Sequence, residues 1–216
     1  MYFHIITLFR NAFDSYLSES ILKRAIEDKK IKVSFYNPRD FVKDKWKRID
    51  RPPYAGGPGM VIQAEPVIAA VAKAMAGRRK QDVKIIFLSP SGKQFTNSYA
   101  SKTAKKYKNI IIICGRYEGI DARVKKVFKT DEVSIGPFVL TGGELPAMVI
   151  LDAMARQVRG VLGNFDSLEE CRTSVSDVYT RPETFIYKGK SYRVPKVLLS
   201  GHRAKIDKWK KRYLSP

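Results

Sequence analysis

The chain has 216 residues, enough to bury a sizeable core in one or two domains, and 44% of them are hydrophobic. No apolar run approaches the length of a membrane span, and the first residues lack a basic region followed by a long apolar one, so we expect a folded cytosolic protein without membrane contact. Forty-one Lys and Arg against 21 Asp and Glu give a formal net charge of +20, which favours a polyanionic partner such as nucleic acid over charge spread only for solubility.

The first half of the chain is predicted to alternate strands and helices. Runs of β-branched and aromatic residues predict strands at 2–8, 31–36 and 83–88. Helical spacing of apolar residues predicts helices over 16–27, 66–76 and 98–106, the first with Leu17, Ile21, Leu22 and Ala25 on its buried face. Residues 51–60 hold too many Pro and Gly for a helix or a central strand, and a loop of this kind is either disordered or functional.

The stretch 110–159 is the part around which the chain is organised. Residues 110–114 are apolar without alternation, as in a strand covered on both faces of a parallel sheet. A second short strand is predicted at 132–135, and the helix after Gly143 carries Met148, Leu151, Ala155 and Val158 on one stripe. Glycine turns follow three of the predicted strands, and open parallel sheets bind small ligands at such strand ends because bare backbone can approach them.

The order of these elements predicts an α/β fold in which a parallel sheet carries helices on both faces. We expect this domain to cover residues 1–160, an interdomain linker to cover 161–178, and a small, mostly helical and basic C-terminal region to cover 179–216. From Arg181 onward the chain has eleven Lys and Arg against two acids, Glu183 and Asp207. Its last helix is predicted over 203–212.

Common nucleotide, hydrolase and metal motifs do not occur in the sequence. No G-x-G-x-x-G follows a strand, and there is neither a Walker A loop nor a G-x-S-x-G elbow. His4 and His202 lie far apart with no cysteine nearby, and Cys114 and Cys171 cannot build a metal cage alone, so we expect no metal. A ligand must therefore be bound through backbone at the glycine turns.

Six ordered motifs make the chain resemble a known family. They are Pro-Tyr-Ala-Gly-Gly-Pro-Gly-Met at 53–60, Leu-Ser-Pro-Ser-Gly at 88–92, Cys-Gly-Arg-Tyr-Glu-Gly-Ile-Asp at 114–121, Glu-Val-Ser-Ile-Gly at 132–136, Leu-Thr-Gly-Gly-Glu-Leu-Pro at 140–146 and Tyr-Thr-Arg-Pro at 179–182. Together they span nearly the whole chain, and they resemble the bacterial tRNA (guanine-37-N1)-methyltransferases of the SPOUT class.

The resemblance implies transfer of a methyl group from S-adenosylmethionine to N1 of guanine 37 in tRNA. It also implies a deep trefoil knot in the α/β domain, a departure from the rule that chains do not thread loops, and one that sequence periodicity does not predict. A homodimer is implied as well, with the target base entering at the subunit interface.

The resemblance places S-adenosylmethionine among three loops, which contain Leu88, Ser89, Pro90 and Gly92; Gly115, Tyr117, Glu118 and Gly119; and Ser134, Ile135, Gly136, Pro137, Phe138, Val139, Leu140, Gly142, Gly143 and Pro146. The family usually has Asp-Tyr where this chain has Pro137 and Phe138. Proline lacks a backbone donor and phenylalanine lacks a hydroxyl, so we expect the polar contacts there to differ while the shape of the pocket survives.

Methyl transfer to guanine N1 requires a base that accepts the N1 proton and a cation that stabilises charge on O6. Arg156 matches the family's arginine for the second role. The family's proton-accepting aspartate follows Ser-x-Glu-Glu, but here Ser-Leu-Glu-Glu at 167–170 is followed by Cys171 in a shortened linker. Of the nearby carboxylates Asp166, Glu169, Glu170 and Asp177, we take Glu170 and Asp177 as the candidate bases, with Asp177 favoured because it keeps the aspartate chemistry. The alternative is that all four are solvated linker charges and that activity is impaired or absent.

Contacts with tRNA are expected from the Pro/Gly-rich loop and the basic C-terminal region, in particular from Tyr54, Gly56, Gly59, Arg181, Lys205 and Lys208. Two alternative functions remain open at this point. One is an RNA-binding protein that has lost catalysis, and the other is an enzyme that modifies a different base or position.

Overall fold

The structure, a computed structural model, describes residues 1–54, 56–163 and 177–211. Its chain forms two compact units, Met1–Gly163 and Asn164–Pro216. Within the described ranges, none of the helices has both the length and the apolar character needed to cross a membrane.

The first unit contains seven of the described strands and six of the described α-helices. The strands are β1 Tyr2–Ile6, β2 Lys32–Tyr36, β3 Asp50–Arg51, β4 Val61–Ile62, β5 Val83–Gln94, β6 Asn109–Ile113 and β7 Asp131–Ser134. The helices are α1 Asp14–Leu17, α2 Ser20–Glu27, α3 Ala64–Met75, α4 Asn97–Lys106, α5 Arg123–Val127 and α6 Glu144–Ala155, with single 3-10 turns at Arg10–Phe13, Pro38–Phe41 and Lys80–Asp82.

Five of these strands form one parallel sheet in the order β2-β1-β6-β5-β7, as the sequence predicts. The central strand β6 explains the unbroken apolar run, because Ile110 and Ile112 pack into the core beneath α2, α4 and α6 while Ile111 and Ile113 pack beneath α3 and α5. All five strands run parallel, which brings residues 88–90 of β5 and the turns after β6 and β7 to the same edge of the sheet.

The predicted strand 83–88 is longer than expected, and the turn predicted at 89–92 is wrong as a strand end. Leu88 and Lys93 both pair with Val133 of β7, so the residues between them bulge out of a strand that then continues to Gln94. A Cβ at Gly92 would lie 2.5 Å from the backbone nitrogen of Val133, so only glycine lets β7 pass this bulge.

The predicted helix over 16–27 is also corrected, because it is divided into α1 and α2. Residues 18 and 19 separate the two helices, and Ser20, the first residue of α2, has a φ of 51° outside the helical region. Leu22 and Ala25 are buried as predicted, but Ile21 is 38% exposed because the break rotates it out of the expected apolar stripe.

The second unit contains a hairpin that the sequence prediction did not include. Its strands are β8 Thr184–Tyr187 and β9 Lys190–Arg193, which pair antiparallel around Gly189, and helices α7 Lys196–Leu199 and α8 Arg203–Lys211 follow. Phe185 and Tyr192 stack on this hairpin with ring centroids 5.1 Å apart. The alternation of aromatic and polar residues around Gly189 is the sequence signal for it.

Candidate active site

A crevice of about 260 Å³ opens at the bulge of β5 and the carboxyl ends of β6 and β7. Three chain segments form its walls: Leu88, Ser89 and Pro90; Gly115, Arg116, Tyr117, Glu118 and Gly119; and Val133, Ser134, Ile135, Phe138, Val139, Leu140, Thr141, Gly142, Gly143 and Pro146. The sheet topology brings these distant segments together, since one is the bulge of β5 and the other two lie at the ends of its neighbours β6 and β7.

All but three of the residues that the sequence predicts for the cofactor lie in this lining. The exceptions are Gly92, which lies against the backbone of β7, Gly136, which lies beneath the ring of Phe138, and Pro137, which is exposed. These three residues shape the turns that carry the lining.

Three lining residues, Arg116, Val133 and Thr141, were missed by the sequence reasoning. Val133 looks like an ordinary strand residue, and Thr141 and Arg116 stand inside motifs that were assigned through their glycines. Arg116 and Thr141 each stand between two predicted lining residues, which is the signal that could have found them, whereas Val133 has a predicted lining residue on its carboxyl side only.

The turn after β6 is fixed by backbone bonds and by the Pro/Gly-rich loop. Gly119 N–H donates to Arg116 carbonyl at 3.1 Å, and Glu118 N–H donates to Met60 carbonyl at 3.0 Å. Tyr117 has a φ of 59° and Gly119 one of 124°, so the chain reverses sharply within the lining. A Cβ at Gly59 would lie 2.6 Å from the Glu118 side chain, which shows how closely the loop approaches the crevice turn.

A buried polar network stands behind this turn. The carboxylate of Glu144, in the first turn of α6, is 3% exposed; it accepts a hydrogen bond from the Thr7 hydroxyl at 2.8 Å and pairs with Nε of Arg116 at 2.8 Å. The guanidinium of Arg116 also donates to the carbonyl of Thr141 at 3.3 Å and lies 4.6 Å from the ring centroid of Phe9. Arg116 therefore joins two of the three crevice segments, and Glu144 holds it in place.

Cys114 ends β6 directly beneath the crevice and is buried. Burial raises the pKa of its thiol well above the ordinary value, and the nearby charge of Glu144 acts in the same direction. The thiol is thus protonated and packed, and it is no candidate for a nucleophile.

Arg156 lies at the other end of α6 from the crevice. Gly143 precedes the first residue of this helix and Arg156 follows its last, and at about 1.5 Å per residue the two are about 20 Å apart. The predicted catalytic arginine therefore does not reach the crevice of its own chain.

Of the two candidate bases, Asp177 is the one that lies within the residues that the structure describes. Asp177 is exposed and belongs to the second unit, whereas Glu170 and Cys171, with most of the predicted linker 161–178, fall outside the described residues.

The predicted RNA-binding residues are exposed. Tyr54 is 99% exposed on the loop between β3 and β4, where Gly56 and Gly59 adopt φ values of 77° and 88° that favour glycine. In the second unit, Arg181 precedes the β8–β9 hairpin, and Lys205 and Lys208 lie on α8. Among the residues that the structure describes, no group of three His, Cys, Asp or Glu is placed to hold a metal ion.

Comparison with known proteins matches the whole chain to one family. The family model described as tRNA (Guanine-1)-methyltransferase TrmD covers residues 1–215. The chain is 47% identical to the tRNA (guanine-N(1)-)-methyltransferase of Caldanaerobacter subterraneus subsp. tengcongensis, over 98% of this chain and 86% of the relative. It is 43% identical to the protein of that name from Clostridioides difficile, over 98% of this chain and 91% of the relative, and 44% identical to the one from Geobacter metallireducens, over 98% and 85%.

Proposed function

The chain belongs to the tRNA (guanine-1)-methyltransferase family, and we infer that it is an enzyme that methylates N1 of a guanine in tRNA. The single observation that carries the chemistry is the crevice at the bulge of β5 and the ends of β6 and β7, where three segments that carry the family's motifs meet. The basic surface of the chain, with its formal net charge of +20, fits an RNA substrate.

We propose that the crevice holds the methyl donor, S-adenosylmethionine. Leu88, Ile135 and Leu140 give it apolar walls suited to an adenine ring, and the backbone of the glycine turns can read the ring's polar edge. Gly119 has no atom within 4 Å of the place where a Cβ would stand, and Gly115 meets only the Ile120 side chain at 3.6 Å, so both leave space for a ligand. Bound there, the cofactor supplies a methyl group on a positively charged sulfur, which guanine N1 can attack.

The return of the chain after β7 supports a knotted arrangement. Gly143 N–H donates to the Gly115 carbonyl at 2.9 Å, and Gly142 forms a bridge with Arg116, so the segment that leads into α6 lies against the turn after β6. A Cβ at Gly143 would lie 2.7 Å from the Cα of Cys114, which leaves no space between the two segments. We propose that this close crossing is part of the trefoil knot that the family resemblance implies.

A homodimer would cover an exposed apolar surface beside the crevice. The surface consists of large side chains on α1, on α6, after β1 and in the crevice lining, each at least 45% exposed: Phe9, Tyr16, Val139, Leu145 and Val149. Since Arg156 lies about 20 Å from the crevice of its own chain, we propose that it acts on a guanine held at the partner's crevice. There its guanidinium would stabilise the negative charge that develops on O6.

The N1 proton of guanine requires a carboxylate acceptor before or during methyl transfer. We propose Asp177, which keeps the aspartate chemistry and lies just before the motif at 179–182. Glu170 is the second candidate, because it is one position from the slot of the family's aspartate. In single-turnover methylation, the amide variant of the true base should slow the reaction at least a hundredfold at about neutral pH. If Asp177→Asn and Glu170→Gln both keep full rates while Cys171→Ser loses activity, this assignment is wrong.

The position of the methyl group tests the function itself. We propose guanine 37, on the strength of the six family motifs, with the basic C-terminal unit and the loop 51–60 contacting the tRNA. Purified protein should transfer label from S-adenosylmethionine to unmodified tRNA, and N1-methylguanine should block reverse transcription at position 37. Label at another nucleotide would contradict the position, and no transfer to any tRNA would contradict the function.

A further inference from the structure

A basic arm, residues 43–51, leads into β3 and carries an exposed tryptophan. Trp46 is 69% exposed, although tryptophan is normally among the most buried residue types by area. The arm contains five basic residues, Lys43, Lys45, Lys47, Arg48 and Arg51, against two acids. A large aromatic ring surrounded by cations at the surface is the combination that binds unpaired nucleotides.

The ring is held in a defined position by its neighbours. The guanidinium of Arg48 lies 4.9 Å from the ring centroid of Trp46, and the ammonium of Lys45 lies 6.0 Å from it. Trp46 N–H donates to the carboxylate of Asp44 at 3.0 Å, and Lys47 N–H donates to the Asp44 carbonyl at 2.9 Å. Because these contacts fix the turn and most of the ring is still exposed, a ligand that stacks on Trp46 costs less conformational entropy than stacking on a ring in a loop without such contacts.

The arm is connected to the crevice through the β3–β4 pair. Gln63 binds the arm on one side, since its side-chain amide donates to the Arg48 carbonyl at 2.9 Å and its backbone N–H donates to the Ile49 carbonyl at 2.8 Å. On the other side, Ile62 N–H donates to the carbonyl of Gly119 in the crevice lining at 3.0 Å. The arm and the crevice turn are thus parts of one hydrogen-bonded framework within the first unit.

We propose that Trp46 stacks on an unpaired base of the RNA substrate, outside the crevice, while the basic side chains of the arm contact the neighbouring phosphates. This inference rests on the proposed RNA substrate, but it assigns a second contact that the methylation site does not require. A stacked base binds through its π face in any sequence, so the contact adds affinity and orientation without reading the base.

Fluorescence can report this contact directly, because the chain has only two tryptophans. In a Trp209→Phe variant, Trp46 is the sole tryptophan, and the ring contact of position 209 with Tyr179 is retained by phenylalanine. Titration with an anticodon stem-loop RNA should quench Trp46 emission, and a fully paired RNA duplex of equal charge should leave it nearly unchanged. Equal emission with and without the stem-loop, at concentrations where filter binding shows a complex, would overturn the proposal.

Steady-state kinetics in the unaltered background give an independent test. Trp46→Leu should raise the KM for tRNA about tenfold and leave the KM for S-adenosylmethionine unchanged, since one stacked base is lost. Trp46→Phe should restore most of the tRNA affinity, because it keeps an aromatic face. A wild-type KM for tRNA in Trp46→Leu would refute the stacking role while leaving the methyltransferase function intact, whereas a wild-type protein that methylates no tRNA would refute the function.

Two variants that each remove one positive charge distinguish RNA contacts made by the arm from general electrostatic attraction. Lys45→Gln should weaken RNA binding more than Lys80→Gln, because Lys80 lies at the amino end of β5, on the edge of the sheet opposite the crevice. Equal losses in the two variants would mean that the arm contributes only net charge, which would overturn the proposal.

Discussion

Glu144 is a buried acid that lies behind the crevice turn. Its carboxylate is almost completely buried, and it connects Thr7 of the sheet edge with Arg116 of the crevice turn. A buried ion pair adds little to stability when compared with apolar residues, but removing one partner leaves the other charge uncompensated. Glu144 therefore positions Arg116 and, through it, the crevice wall that Thr141 belongs to.

We expect Glu144→Gln to lower the free energy of unfolding by about 2–3 kcal/mol, less than a wholly buried pair would cost, because the Arg116 side chain keeps 26% exposure. Cofactor affinity should fall as well, since Arg116 loses its fixed position. Glu65→Gln is the matched control, because Glu65 is an exposed acid in the first turn of α3. Chemical denaturation and calorimetry measure both effects, and equal losses in the two variants would contradict the positioning role.

His4 gives the first unit a dependence on pH. Its Nε2 lies 3.2 Å from Oδ1 of Asn109 and its Nδ1 lies 3.3 Å from the Tyr36 hydroxyl, an arrangement that suits the neutral ring. Burial lowers the pKa of His4 below its usual value. As pH falls through about 6.5, the unfolded chain binds a proton that the folded chain does not, so stability is lost toward acid.

The unfolding midpoint should therefore fall between pH 7.5 and pH 5, and the fall should be smaller in His4→Gln than in the wild type. His202 is exposed in the second unit, so His202→Gln serves as the control and should keep the wild-type slope. Thermal scans at both pH values test this, and an unchanged slope in His4→Gln would argue against the buried histidine as its cause.

Among the elements, the sheet could be predicted because β6 is apolar on both faces and its neighbours carry alternating or β-branched residues. The bulge in β5 could not be predicted, since only the partner strand decides that residues 89–92 leave the ladder and that Gly92 must admit the backbone of Val133. The break at Ser20 was hidden for a similar reason: a left-handed serine is an uncommon backbone state that side-chain periodicity does not report.

Two glycines of the crevice turns should respond differently to substitution. A Cβ at Gly115 meets only the end of the Ile120 side chain at 3.6 Å, but one at Gly143 would lie 2.7 Å from the Cα of Cys114. We expect Gly115→Leu to fold and lose cofactor binding, and Gly143→Ala to lose both binding and stability, by about 2 kcal/mol or more, because backbone must move. Calorimetry with S-adenosylmethionine and thermal unfolding distinguish them, and full cofactor affinity in Gly115→Leu would contradict the placement of the site.

At the scale of the whole molecule, we expect the net charge of +20 to supply much of the affinity for tRNA. Each phosphate neutralised by a Lys or Arg releases counterions, so affinity for tRNA should fall steeply with salt. Replacing Lys205, Lys208, Lys210 and Lys211 with Gln should lower the slope of log affinity against log salt by about three to four, if each contacts a phosphate. Filter binding between 50 and 300 mM salt tests this, and an unchanged slope would place the tRNA contacts elsewhere.

The position of Arg156 raises the question of which crevice it serves. A helix of twelve residues separates it from the crevice of its own chain, and a two-fold dimer would exchange the corresponding surfaces of the two subunits. The resemblance gives the arginine from the sequence alone, but only the length of α6 in the structure shows that Arg156 and the crevice lie at opposite ends of this helix.

Mixed dimers test this arrangement. A Gly115→Leu subunit lacks the cofactor but keeps Arg156, and an Arg156→Ala subunit has the opposite defect, so each homodimer should be inactive. If Arg156 acts on the partner's crevice, a dimer with one subunit of each kind has one complete site. Purified through two different tags, it should then show about half of the wild-type rate per dimer. If Arg156 served its own crevice, the same dimer would have no complete site and no activity.

Dimers of two differently tagged Gly115→Leu subunits are the control for contaminating wild-type subunits. They should show no methylation of tRNA under the same conditions.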